Sequence, residues 1–194
     1  MAKSIDETKL ERIKQATIEM VVTKGYGGAS VSSIAKRAQV ADGYLYRHFP
    51  SKQALVQSLY ASHIDEFRQL VYEMMNTYNT LEEILFNFIN AIFELTNENP
   101  SKAMFINMLM NDYTFLMSKD MRLRIPESFE KLLDKGKETK EVDAGISIEE
   151  FTAVFPAIPI EYASSRVKRI FSDEKLTSDD AHKVTTLCVK ALKG

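Results

Sequence analysis

The sequence predicts an all-α fold of about nine helices. Apolar residues recur at helical spacing along almost the whole chain. No run alternates apolar and polar residues with period two, and no two-residue hairpin signal appears. The glycines and prolines sit mostly where helices should stop.

The first helix is expected from about Thr8 to Lys24, with Leu10, Ile13, Ala16, Met20 and Val21 on one stripe. Ser4 with Glu7, or Thr8 with Glu11, has capping-box spacing. Gly25 should end this helix as the residue just past its C-terminus. A second helix is predicted over Val31–Ala38, with Ser30 as N-cap and Ile34, Ala35 and Ala38 facing in. A third covers Asp42–His48 and stops before Pro50. The fourth starts near Lys52 after the N-cap Ser51 and reaches about Asn76, its inner face marked by Leu55, Leu59, Phe67, Leu70 and Met74.

Thr80 and Glu83 form a capping box for the fifth helix. Asn99-Pro100 opens the sixth, an N-cap followed by proline at the first helical position. Pro126 should break or restart the next run near Arg124, and Lys135–Asp143 reads as a mobile loop. Ser147 and Glu150 cap the eighth helix, expected to Phe171 and kinked or split at Pro156 and Pro159. The last helix runs from Ser178 to Leu192.

The chain has 194 residues and 45% hydrophobic content, enough for a buried core without metals or disulfides. Its single cysteine, Cys188, can form no internal disulfide, which suits a reducing compartment. No apolar run approaches the roughly 20 residues that span a bilayer. The first residues lack the apolar stretch of a secretion signal, so a cytoplasmic location and no membrane partner are expected. Residues 1–55 hold nine Lys/Arg against five Asp/Glu, whereas residues 56–194 hold sixteen against twenty-two. A basic end on an acidic body suggests that one end meets a polyanion.

The stretch Gly25–Leu55 packs two short helices with a three-residue break between them, and the second carries basic and aromatic residues. This is the layout of a helix-turn-helix that lays one helix in a DNA major groove. Leu45 and Phe49, four apart, share the buried face, which turns Gly43, Tyr44 and Arg47 outward. Gly43 lets backbone approach DNA closely. Arg47 can pair with a guanine edge or neutralise a phosphate. Tyr44, Tyr46 and His48 can hydrogen-bond phosphates or touch thymine methyls. Ser30 adds amide donors at a helix start, and Lys36, Arg37 and Lys52 are further phosphate candidates.

The segment Leu10–Leu55 resembles the N-terminal domain of the TetR family of bacterial transcriptional regulators. The matching features are Gly25-Tyr26, Ser30-Val31, Ile34-Ala35-Lys36-Arg37-Ala38, Gly43-x-Leu45-Tyr46-x-x-Phe49 and Ser51-Lys52-x-x-Leu55. The resemblance implies a DNA-binding domain over residues 1–51 and a helical effector-binding and dimerisation domain over 52–194. It also implies a homodimer on palindromic double-stranded operator DNA, released by a small-molecule effector. By motif position, Ser30, Ala41, Asp42, Gly43, Tyr44, Tyr46, Arg47, His48 and Lys52 would touch DNA. Three positions depart from the family pattern: Gln39 stands where glycine is usual in the turn, Ala41 where serine is usual, and Tyr44 where a small or hydroxyl residue is usual. Asp42 is electrostatically unhelpful unless it caps the third helix or accepts from a cytosine amine.

Residues 60–121 are rich in methionine and aromatics, which suits an adaptable apolar pocket as well as an ordinary helical core. His63, Phe67, Phe88, Met104, Phe105, Met108 and Tyr113 are the candidate lining of a site for a hydrophobic or aromatic effector. In the family the last two helices meet their symmetry mates. Phe151, Val154, Phe155, Ile158, Tyr162, Val184, Leu187 and Ala191 would supply that dimer patch here. The sequence has no zinc-ligand spacing, phosphate-binding glycine loop or nucleophile elbow, so no catalytic residue, metal or cofactor is expected. Three readings stand: a ligand-responsive repressor, an activator or ligand-insensitive regulator, and a helical small-molecule binder whose DNA reader has decayed.

Overall fold

The computed structural model describes the backbone of residues 5–193 and the side chains of residues 6–122 and 126–193. Among these residues there are ten helices and no strand: α1 (Ile5–Gly28), α2 (Val31–Ala38), α3 (Asp42–His48), α4 (Lys52–Thr77), α5 (Leu81–Glu98), α6 (Pro100–Met110), α7 (Lys119–Glu138), α8 (Ile148–Val154), α9 (Ala157–Val167) and α10 (Ser178–Lys193). The tenth arises because the expected eighth helix is divided at Pro156, whose ring removes a backbone donor.

The helices form two compact units, residues 1–63 with 104–118 and residues 64–103 with 119–194. The boundaries of these units fall inside α4, inside α6 and just before α7. Compactness follows contacts, and a long helix can supply contacts to both units.

In the first unit α1 begins before Thr8, which is therefore internal to the helix, and Ser4 lies outside the described residues. Regular helix geometry ends at Gly25, whose φ of 73° is open to glycine and strained for other residues. Ile13, Val21, Ile34, Ala35, Leu55 and Tyr60 are fully buried within this unit.

The second unit is built around α5, whose Ile84, Leu85, Phe88 and Ile89 are completely buried. Thr80 and Glu83 cap it reciprocally, as the sequence spacing predicts, and Ser147 with Glu150 does the same for α8. Two expectations fail here. α7 continues through Pro126, which removes one helical donor; burial of Met121 before it and of Leu132 and Leu133 after it anchors both halves. The stretch 135–143 is not a free loop. Lys135 donates to the carbonyls of Met75 and Tyr78, capping the end of α4. Glu141 accepts the Leu81 and Glu82 backbone N–H groups at the start of α5. A Cβ on Gly136 would lie 2.6 Å from Val142 Cγ2 and 2.8 Å from Leu81 Cδ2, so close packing explains this glycine.

Candidate nucleic-acid interface

The α2–α3 pair is fixed by a turn the sequence only partly announces. Gln39 takes the left-handed conformation at φ 56°, ψ 47°, and its N–H reaches the carbonyl of Lys36 while that of Val40 reaches Ala35. This six-to-one and five-to-two pairing is a Schellman closure, usually made with glycine at the left-handed position. The side chain that glycine would lack lies 3.4 Å from Arg12 of α1 through its carbonyl oxygen.

At the front of α2, Ser30 and Ser33 cap one another reciprocally. Ala41 precedes α3 without a side-chain cap. Asp42 accepts the Ser32 hydroxyl at 2.5 Å, so its charge ties the first turn of α3 to α2. Leu45 is 0% exposed and is the buried anchor of α3; Phe49, just past the helix, is half-buried. Around that anchor Ala41, Asp42, Gly43, Tyr46 and Arg47 are exposed, with Tyr46 at 54%. A Cβ at Gly43 would meet nothing within 4 Å, so nothing inside the chain requires glycine there.

Other candidates are more engaged than their spacing suggests. Tyr44 is half-buried, and its hydroxyl donates to the Asp6 carboxylate at 2.5 Å. That bond holds the Asp6 carboxyl below its usual range and raises the Tyr44 phenol. The Tyr44 ring also lies 4.8 Å from the His48 ring, 4.9 Å from the Arg47 guanidinium and 5.1 Å from the Lys9 ammonium. Arg37 is exposed and pairs with Glu19 at 2.7 Å, and its hydrogen bond lowers the Glu19 pKa. Lys36 is exposed. Lys52 is half-buried: its ammonium donates to the Tyr26 carbonyl at 2.7 Å and sits 4.4 Å over the Tyr26 ring. In the free chain it therefore caps the end of α1. Sequence reading did not find Asp6, Lys9 or Arg12 in this cluster, because only folding brings α1 against residues 27–38 positions further along.

Residues 13–59, which run from within α1 into the start of α4, match the family described as bacterial regulatory proteins, tetR family. Over this segment the chain is similar to TetR-family regulators. Among curated TetR-like relatives, the fatty acid metabolism regulator protein of Bacillus subtilis (strain 168) is 33% identical over 87 residues, 45% of each chain. The HTH-type transcriptional repressor KstR of Rhodococcus jostii (strain RHA1) is 36% identical over 61 residues, 31% of this chain and 29% of that one. The match thus spans less than half the length of these relatives. A TetR family transcription regulator from Marinobacter aquaeolei VT8 superposes with a TM-score of 0.81 at 17% identity, over 96% of each chain. The regulator FadR from Bacillus subtilis, solved with stearoyl-CoA, gives 0.74 at 22% identity, over 94% of this chain and 98% of that one. These two likenesses show a TetR-type fold over 96% and 94% of this chain.

Within this TetR-type chain the effector candidates divide. In the first unit His63 and Phe105 are buried edge to face at 5.7 Å, beside buried Met104 and half-buried Met108. In the second unit Phe67 and Phe88 lie 5.7 Å apart, and Phe88 packs on Phe155 at 5.1 Å. Tyr113 is 100% exposed and lines nothing. Helix α6 ends at Met110, and the Asp112 carboxylate then caps the Thr114 N–H in a turn that points Tyr113 outward. The dimer candidates divide as well. Phe151, Phe155 and Val184 are buried in their own subunit's core. Val154, Ile158 and Tyr162 are half-buried, and the Tyr162 hydroxyl donates to Asp180 at 2.9 Å. Leu187 (53%) and Ala191 are exposed on α10.

Proposed function

We propose that this protein is a ligand-responsive transcriptional repressor that binds palindromic operator DNA as a homodimer and is released by a hydrophobic or aromatic small molecule. The observation that carries the reading is the α3 surface: Gly43, Tyr46 and Arg47 exposed around a fully buried Leu45, inside the segment that matches the TetR family. Residues 1–51 act as the DNA reader and residues 52–194 as the effector-binding and dimerisation part. Ala41, Asp42, Gly43, Tyr46 and Arg47 meet the major groove, with Ser30, Lys36, Arg37, Tyr44 and His48 around them.

Two recognition helices of a dimer must lie about 34 Å apart to enter successive major grooves. An effector that binds only a conformer with another spacing draws the population off DNA. Leu187 and Ala191, with the half-buried Val154, Ile158 and Tyr162, are the surface we assign to the second copy. The effector is held within one unit, by residues among His63, Met104, Phe105 and Met108 in the first or by Phe67 and Phe88 in the second. The stearoyl-CoA in the FadR structure makes long-chain acyl-CoA the first compound to test. The place of action is the cytoplasm, where the DNA is.

The deciding experiment is a gel-shift titration on the DNA upstream of the protein's own gene, across a salt series, with and without stearoyl-CoA. A complex that weakens steeply with salt and dissociates with the acyl-CoA supports the proposal. No salt-dependent complex on any palindromic sequence refutes DNA binding. A monomer by gel filtration at micromolar concentration refutes the dimer.

A further inference from the structure

Asp6 is an exposed carboxylate in the first turn of α1. Its partner, the Tyr44 hydroxyl on α3, lies 38 residues away in sequence. Around the Tyr44 ring stand the Lys9 ammonium, the Arg47 guanidinium and the His48 imidazole, all about 5 Å away. A phenol donor, a guanidinium and an ammonium close together are the groups that receive a backbone phosphate. Here they already receive an anion, supplied by the chain itself.

We propose that the Asp6 carboxylate occupies the place of a DNA phosphate in the free protein, so that duplex binding at Tyr44 exchanges one anion for another. The inference rests on α2–α3 being the DNA reader. A tyrosine hydroxyl has one proton to donate, so Tyr44 cannot serve Asp6 and a phosphate together. The carboxylate also repels an approaching phosphate and offsets part of the field of Lys9 and Arg47. Asp6 thus sets how tightly, and with what salt dependence, this surface takes a duplex. The hydrogen bond from Tyr44 is the main cause of the depressed Asp6 pKa.

The test uses the full chain and a short mixed-sequence duplex, with affinity measured across a salt series for wild type, Asp6→Asn, Asp6→Ala, Tyr44→Phe, the Asp6→Asn/Tyr44→Phe pair and Arg47→Ala. Both Asp6 variants should bind about three- to tenfold more tightly at low salt, with the log–log salt slope steeper by about one ion. In the Tyr44→Phe background the Asp6→Asn gain should shrink by at least half, to the charge effect alone, because the hydroxyl being contested is gone. Unchanged or weaker binding by the Asp6 variants overturns the inference: the carboxylate would then be neutral or needed to hold Tyr44 in place. An equal gain in both backgrounds overturns it too, since that is a charge effect independent of Tyr44. If wild type binds and Arg47→Ala weakens it, such a result removes this inference alone. If wild type shows no salt-dependent binding, the DNA reading and the inference fall together.

Discussion

Replacing Gly43 by alanine should raise the stability of the protein and lower its affinity for DNA. Gly43 is the second residue of the seven-residue α3, and the added methyl would meet nothing within 4 Å. Alanine in place of glycine in a helix gains about 0.5–1 kcal/mol, mainly by restricting the unfolded chain. The lower end applies near a helix start, so the melting temperature should rise by ~1–3 °C. On DNA the sign reverses. A methyl on the surface that approaches the groove forces backbone and duplex apart, and loosening one contact costs ~1–3 kcal/mol, about five- to 150-fold in affinity. Thermal denaturation of the free protein and a gel-shift titration of the same preparation measure both halves. A loss of stability would mean that the helix packs against something at this position. A gain in stability with affinity changed less than twofold would mean that α3 reads DNA through its side chains and does not bring its backbone close.

Leu45→Ala removes the one fully buried side chain of α3 and should cost ~2–5 kcal/mol in urea unfolding, whereas Tyr46→Ala, at an exposed site, should stay within ~0.5 kcal/mol; similar costs for both would show that α3 is not anchored as described. Burial works to raise the Asp180 pKa, but hydrogen bonds from Thr177 and Tyr162 and the nearby Arg166 outweigh it, so the folded value lies below the ordinary carboxylate range. The stability from that depression is present above pH ~4 and is lost as pH falls through the folded value. Asp180→Asn should therefore cost more at pH 7 than at pH 3, and an equal cost at both refutes the assignment. Cys188 is fully buried and desolvation pushes its thiol up to about 11, so thiol reagents should modify the native protein far more slowly than the urea-unfolded chain at pH 8; equal rates would refute its burial.

Much of the fold was written locally. The boundaries of α2 and α3, and the caps Ser30, Thr80 and Ser147, follow from hydrogen bonds made within three or four residues, and such bonds can be read from spacing. The outward face of α3 was legible for the same reason, since one buried leucine on a short helix fixes the direction of every neighbour. Expectations failed where the deciding partner was distant. The stretch 135–143 reads as a loop by composition, yet Lys135 and Glu141 satisfy the ends of two helices about 60 residues away. Tyr113 reads as another aromatic in an apolar region, but α6 stops before it.

By itself the sequence determined the helical class, the places where most helices start and stop, and the motif it shares with the TetR family. The tertiary structure decided what each polar side chain meets in the free chain. Lys52 meets a helix end, Arg37 meets Glu19, and Tyr44 meets Asp6. It likewise decided that Phe151, Phe155 and Val184 fill their own core while Leu187 faces outward. Periodicity reports the face of an element on which a residue lies. Only packing between elements determines what that face meets, because a carboxylate on α1 and a phenol on α3 carry no mark of each other until the chain has closed.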